Sequence, residues 1–138
     1  LRANWKPDST GIIPAIQIGY DIATVEDGDN AGGTTEATAQ WMMGFIWDDA
    51  FIDGNKAGIA IGQRQYATEV ECHSHINSCE DRDDPADDNF VWEAYYDFKV
   101  SDNITITPAI FGGSDVYNGA SDSSDDIFGG LVQTTFKF

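Results

Sequence analysis

Basic residues are scarce in this sequence. Seven lysines and arginines stand against 24 acids, a formal net charge of −17 over 138 residues. That balance argues against nucleic acid as a partner, because phosphate binding needs a basic footprint. Long apolar runs are also missing. The longest, "WMMGFIW" from Trp41 to Trp47, has seven residues, whereas a membrane-crossing helix takes roughly 20. Leucine occurs only at positions 1 and 131. With strong helix formers this sparse, Ile, Val and Thr dominate, a mixture that favours strands. Histidine occurs only as His73 and His75, both in one segment. There is no nucleophile motif and no Gly-rich phosphate loop opening a helix. The chain is therefore not expected to be an enzyme, and no cofactor or resident metal is expected. No initiator Met or signal peptide is present. The opening "LRANWKPD" reads as an interior cut, so the expectation is part of a longer mature chain. Its length suits one domain.

What is present is period-two alternation, in six segments: residues 12–24, 37–48, 56–66, 90–100, 104–112 and 127–138. In the first, Ile16, Ile18, Tyr20 and Ile22 share one face, and Gln17, Gly19 and Asp21 share the other. In the second, Trp41, Met43, Phe45 and Trp47 oppose Gln40, Met42, Gly44 and Ile46. The third sets Ala57, Ile59 and Ile61 against Gly58, Ala60, Gly62 and Arg64. The fourth sets Phe90, Trp92, Ala94, Tyr96 and Phe98 against Val91, Glu93, Tyr95, Asp97 and Lys99. The last two alternate in the same way and end in "LVQTTFKF". Connections run long, short, long, short, long, and 16 of the 24 acids fall in the three long ones. Long and short connections must then lie at opposite ends of an up-and-down sheet.

Two environments satisfy such alternation. In a soluble sandwich or lipocalin-like barrel the apolar face covers a core. In a membrane barrel the apolar face meets lipid and the polar face lines a lumen. Strand length suits a tilted bilayer crossing, and aromatics near strand ends suit interfacial girdles. Glycines on the polar face are poor choices for the outside of a soluble barrel; facing a lumen they would leave open volume. The fold class expected is therefore all-β, an antiparallel up-and-down transmembrane β-barrel. Six strands in 138 residues amount to about a third of a sixteen-stranded barrel. The candidate lumen residues are Asp21, Arg64, Glu93, Asp97, Lys99 and Lys137. Three acids against three bases predict weak selectivity from this part of the wall.

Four blocks, "WKPDSTGIIPAIQIGYDI", "WMMGFIWDDAFIDGNKAGIAIGQ", "FVWEAYYDFKVSDNITITPAIF" and "DDIFGGLVQTTFKF", resemble in order the C-terminal part of cyanobacterial outer-membrane porins. Those belong to the carbohydrate-selective (OprB-type) family, also called iron-uptake porins. The resemblance implies that residues 1–138 are the C-terminal six strands of a porin barrel, with no second domain in this chain. A signal peptide, a peptidoglycan-binding S-layer-homology domain and the earlier strands would precede it. It further implies a passive channel in the cell outer membrane for inorganic ions and small hydrophilic solutes. The partners implied are outer-membrane lipid, the remaining strands of the same barrel and two further copies in a homotrimer. Phe136 and Phe138, on the final strand, would be the signal read by the barrel-assembly machinery. The alternatives are a surface-exposed binding or receptor protein and a soluble all-β binding domain.

Two motifs lie in the longest connection. Cys72 and Cys79 flank "HSHINS", and an oxidising compartment favours a disulfide between them; the alternative is a zinc site with His73 and His75. "EDRDDPADDN", residues 80–89, reads as a solvated acidic run. Its alternative is weak Ca²⁺ binding, though it lacks EF-hand spacing.

Overall fold

The computed structural model describes residues 1–8, 11–24, 34–71, 89–116 and 126–138. They form one sheet of seven strands in sequence order, and every neighbouring pair is antiparallel. The strands are β1 (Arg2–Trp5), β2 (Ala15–Thr24), β3 (Thr34–Asp48), β4 (Lys56–Glu71), β5 (Phe90–Lys99), β6 (Ile104–Ser114) and β7 (Ile127–Phe136). Among the described residues no helix is long and apolar enough to cross a membrane; a β-barrel crosses with strands instead. The sheet is not closed: β1 and β7 are its edges.

All six expected strands are present, and β1 is an addition. Its four residues are too few to show alternation, yet they pair with β2 from Arg2↔Gly19 to Trp5↔Ile16. β3 and β4 also run past their expected ends, to Thr34 and Glu71. Their extra residues are largely polar, but Thr and Val suit extended backbone. Just inside these extra residues the hairpin bulges. Ala39 pairs with Tyr66 and Trp41 with Gln63, so Arg64 and Gln65 together oppose Gln40, the two-against-one count of a β-bulge. Gln65 donates to the Thr38 hydroxyl at 2.8 Å.

The register settles which side chains share a face, because directly paired residues lie on the same side. One face is apolar: Ile18 lies beside Met43, Met43 beside Ile61, and Ile61 beside Trp92. Ile18, Ile22, Ile59, Phe98, Ile110, Phe128, Val132 and Phe136 are exposed there. Among the described residues, the buried apolar side chains are only Ala39, Ala109 and Val116. The sheet is one layer without a core of its own. A sheet's apolar face must be covered by another layer, and no second layer of this chain is described.

Pro108 sits inside β6 without breaking the sheet. It pairs with Val132 of β7, while the ladder to β5 skips from Tyr95↔Ala109 to Phe98↔Ile106. A proline has no N–H to donate, so the gap falls on that side.

The 49–55 turn is held by polar bonds. Asp49, Phe51 and Gly54 have positive φ, and the Gly54 N–H donates to Asp49 Oδ1 at 2.7 Å. Asn55 is buried. Its amide donates to the Tyr96 hydroxyl at 3.1 Å and accepts the Lys99 N–H at 2.9 Å. The Tyr96 hydroxyl donates to the Ala50 carbonyl at 2.6 Å. The turn is thereby fixed to the end of β5. The ends of β2, β4 and β6 and the starts of β3, β5 and β7 lie at one end of the sheet, and the 49–55 and 100–103 turns lie at the other with the end of β1 and the start of β2. The added 6–14 connection makes the length contrast softer than the sequence suggests.

Candidate functional site

The polar face is layered. Near the end that carries the longest connections, Asp21 of β2 pairs with Gln40 of β3, whose amide donates to Asp21 Oδ2 at 3.2 Å. Arg64 lies in the bulge at the same end. Its N–H donates to Asn89 Oδ1 at 2.8 Å, and its guanidinium donates to the Val116 carbonyl. Arg64 thus bridges across the start of β5 to the residues after β6.

At the opposite end a row of polar residues crosses the sheet. Asp48 pairs with Lys56, and Lys56 with Asp97. Thr107 pairs with Gln133 on the same face, and its hydroxyl donates to Asp97 Oδ1 at 2.6 Å. Asp48 binds two ammonium groups, Lys6 at 2.8 Å and Lys56 at 3.0 Å. One step further out, Lys99 pairs with Thr105. Its ammonium lies 2.9 Å from Asp102 in the 100–103 turn and holds that carboxyl below the usual carboxylate range. Lys137 lies just beyond β7. Its N–H donates to the Asn103 carbonyl at 2.9 Å, and its carbonyl accepts from the Asn103 amide at 2.7 Å.

Between these belts the face is mostly apolar. Met42, Val91 and Ile127 occupy one cross-strand row, and Ile46, Tyr95, Ala109 and Leu131 another. Glu93 stands between the two rows, opposite Ala60 and Phe111. The six sequence candidates therefore do not converge on one point. Asp21 and Arg64 stand at one end, Asp97, Lys99 and Lys137 at the other, and Glu93 between them.

Asp48, Lys56 and Lys6 were missed as candidates because they flank turns. The signal was available: Asp48 and Lys56 carry the parity of the polar face and meet across the 49–55 turn. The glycines need a correction. They were expected to leave open volume, and a Cβ on Gly44 would meet nothing nearer than 3.9 Å, but at Gly19 and Gly58 the space is filled by neighbouring side chains. A Cβ on Gly58 would lie 2.2 Å from the Tyr95 ring, one on Gly129 2.6 Å from Phe111, and one on Gly19 3.0 Å from Met42. On the apolar face, a Cβ on Gly112 would lie 2.9 Å from Trp92. In each case the side chain belongs to the residue directly paired with the glycine.

Phe136 lies on the apolar face opposite Ile104, and Phe138 follows it, fully exposed. The apolar face carries aromatics toward both ends. Tyr20 pairs with Trp41, whose indole N–H donates to Gln63 at 2.5 Å. At the other end, the Tyr96 and Phe98 rings meet edge-on at 4.5 Å, and Phe51 lies 6.1 Å from Tyr96. The disulfide between Cys72 and Cys79, its alternative zinc site with His73 and His75, and the acidic run at 80–88 lie outside the described residues. Among the described residues no group of His, Cys, Asp and Glu is placed to hold a metal ion.

An antiparallel meander with one apolar and one polar face, no core and two open edges has the form of a transmembrane β-barrel wall. The comparison with known families agrees. The chain belongs to the carbohydrate-selective porin, OprB family, whose model matches residues 22–138. That family is one of outer-membrane porins, which are channels rather than enzymes. No curated protein and no solved structure matches the chain.

Proposed function

We propose that this chain is the C-terminal portion of a passive diffusion channel for inorganic ions and small hydrophilic solutes in the cell outer membrane. In this reading the apolar face meets lipid and the polar face lines the lumen. The observation that carries it is the exposed apolar band of Ile18, Ile22, Ile59, Phe98, Ile110, Phe128 and Val132 along one face of a sheet without a core. Water would penalise that surface by about 25 cal/mol per Å²; the hydrocarbon of a bilayer removes the penalty. Aromatics toward both ends of the same face suit the two interfaces.

Further strands of the same barrel pair with β1 and β7, since neither edge can stay open in lipid. The expected closed form is a barrel of about sixteen strands, assembled as a homotrimer. Residues 1–138 are one portion of that barrel domain. In this reading the chain is a cyanobacterial, iron-uptake member of the family, which the resemblance of its four sequence blocks supports. Phe136 and Phe138 serve the barrel-assembly machinery, and Cys72–Cys79 braces the longest connection.

The test is reconstitution of the whole protein in planar lipid bilayers. Stepwise, ohmic conductance in simple salt solutions is expected. Folded protein that inserts without conducting would leave the receptor reading, and folded monomer soluble without detergent would leave the soluble one; either refutes the channel.

A further inference from the structure

A groove of about 670 Å³ opens on the apolar face beside the 49–55 turn. Its floor is low because small residues build it. Ala57 of β4 and Ala94 of β5 lie there, with Ile59 at the inner end. Larger side chains stand on either side. Toward β3, Trp47 pairs with Ala57, and its indole N–H donates to the Ile12 carbonyl at 2.9 Å, which pins Ile12 beside the groove. Toward β5, the Phe51 ring lies 6.1 Å from that of Tyr96.

Both flanks are left uncovered. Ile12 is 94% and Phe51 95% exposed, so each projects from the sheet with little cover from the described residues. Phe51 also has a left-handed backbone, with φ 63°, a conformation that disfavours a bulky side chain. Backbone strain of this kind is a feature of ligand clamps.

Length and charge select the occupant. Asp49 lies one residue beyond the Asp48–Lys56 pair, and Ile59 three residues inside it. The groove therefore runs about 13 Å along the strands, close to half of the roughly 30 Å hydrocarbon of a bilayer. That depth suits one lipid chain in one leaflet, whereas a neighbouring barrel wall would meet the apolar band along its whole height. At the mouth stands Asp49, whose Oδ1 accepts the Gly54 N–H, with Asp53 exposed in the same turn. The lysines beside the turn are already engaged, Lys56 by Asp48 and Lys99 by Asp102. The mouth therefore favours a headgroup that carries an ammonium over one that is only anionic.

We propose that this groove holds one membrane phospholipid, with an acyl chain over Ala57 and Ala94 between Ile12 and Phe51, and an amine-bearing headgroup against Asp49. The proposal rests on the lipid assignment of the apolar face above.

The test is native mass spectrometry of the full-length protein released from detergent micelles, after titration with palmitoyl-oleoyl phosphatidylethanolamine or the matching phosphatidylglycerol. One phosphatidylethanolamine per copy should be retained. Phosphatidylglycerol should be held about tenfold more weakly, the weight of one hydrogen bond to a charged group. Ala94→Leu fills the floor and should abolish retention. If that variant does not fold, Phe51→Gly removes a flank, suits the left-handed backbone and should still weaken retention. Asp49→Asn keeps an acceptor for the Gly54 N–H and should erase the preference between the two headgroups. Retention unchanged in Ala94→Leu and Phe51→Gly would overturn the site while leaving the channel intact. Equal retention of the two lipids by the unmodified protein would overturn the headgroup choice. Oligomers lost in Ala94→Leu with lipid retention unchanged would assign the groove to a second copy and overturn the proposal. Folded protein soluble without detergent would overturn the lipid assignment beneath it.

Discussion

Ile59 and Ala60 are consecutive in β4 and point to opposite faces, so one pair of substitutions tests the orientation of the whole sheet. Ile59 pairs with Phe45 and Ile61 with Met43. These two rows lie between the rows of Trp41 and Trp47, which are about 20 Å apart along the strand. Ile59 is therefore near the middle of the apolar band, and it is 44% exposed, so little packing within the sheet is lost when it is replaced. Ile59→Arg should cost about 2–4 kcal/mol, the penalty for arginine at the bilayer midplane on a barrel's lipid face. That is a change of about 30-fold to nearly 1,000-fold in the folded-to-unfolded ratio. Ala60→Arg should be nearly neutral, because the new guanidinium faces the lumen with Glu93 directly opposite and opposite charges across a strand pair attract. The assay is reversible guanidinium unfolding of the full-length protein into phospholipid vesicles, followed by tryptophan fluorescence. Equal losses at the two positions, or a larger loss at Ala60, would refute the assignment of lipid and lumen.

Three further outcomes are expected. Asn55→Ala removes the partners of the Tyr96 hydroxyl and the Lys99 N–H and should cost about 1–3 kcal/mol in the same unfolding assay; a neutral result would mean that the turn is not held by this side chain. Gly58→Ala should cost about 1–3 kcal/mol by overpacking when Tyr95 is present, and close to nothing in a Tyr95→Ala background, so a double-mutant cycle should show strong coupling. Asp48→Asn should release the ammonium groups of Lys6 and Lys56 and shift the reversal potential in a salt gradient toward anions; no shift would place these groups away from the conducting path.

The faces were legible in the sequence because alternation is local. Each of Ile16 to Ile22, Trp41 to Trp47 and Phe90 to Phe98 shows its period without help from a neighbour, and the observed register keeps every set together. Features created by pairing were not legible. β1 is too short to have a period and exists because β2 offers it an edge. The outer parts of β3 and β4 look like loop in composition and are strand because they pair with each other. The glycines depended most on pairing. In one strand a glycine reads as missing volume; only the register reveals that Tyr95, Phe111 or Met42 lies over it. The charged row was half visible. Asp97 was identified from parity within β5, but its row-mates Asp48 and Lys56 lie beside a turn, where charge reads as solvation.

The large side chains seated over glycines bear on how such a sheet avoids assembling wrongly. A slip of one residue between strands is easily rejected, because it sends apolar side chains to the polar face. A slip of two residues keeps every face correct and escapes that check. It does not escape the glycines. Displaced by two, Tyr95 would meet Lys56 or Ala60, Phe111 would meet Leu131 or Ile127, Trp92 would meet Ile110 or Ser114, and Met42 would meet Gln17 or Asp21. Each error sets a bulky side chain against another Cβ. Four of the six strand junctions thus carry a second, independent proofreading step, written in small residues that a reading of one strand at a time takes for empty space.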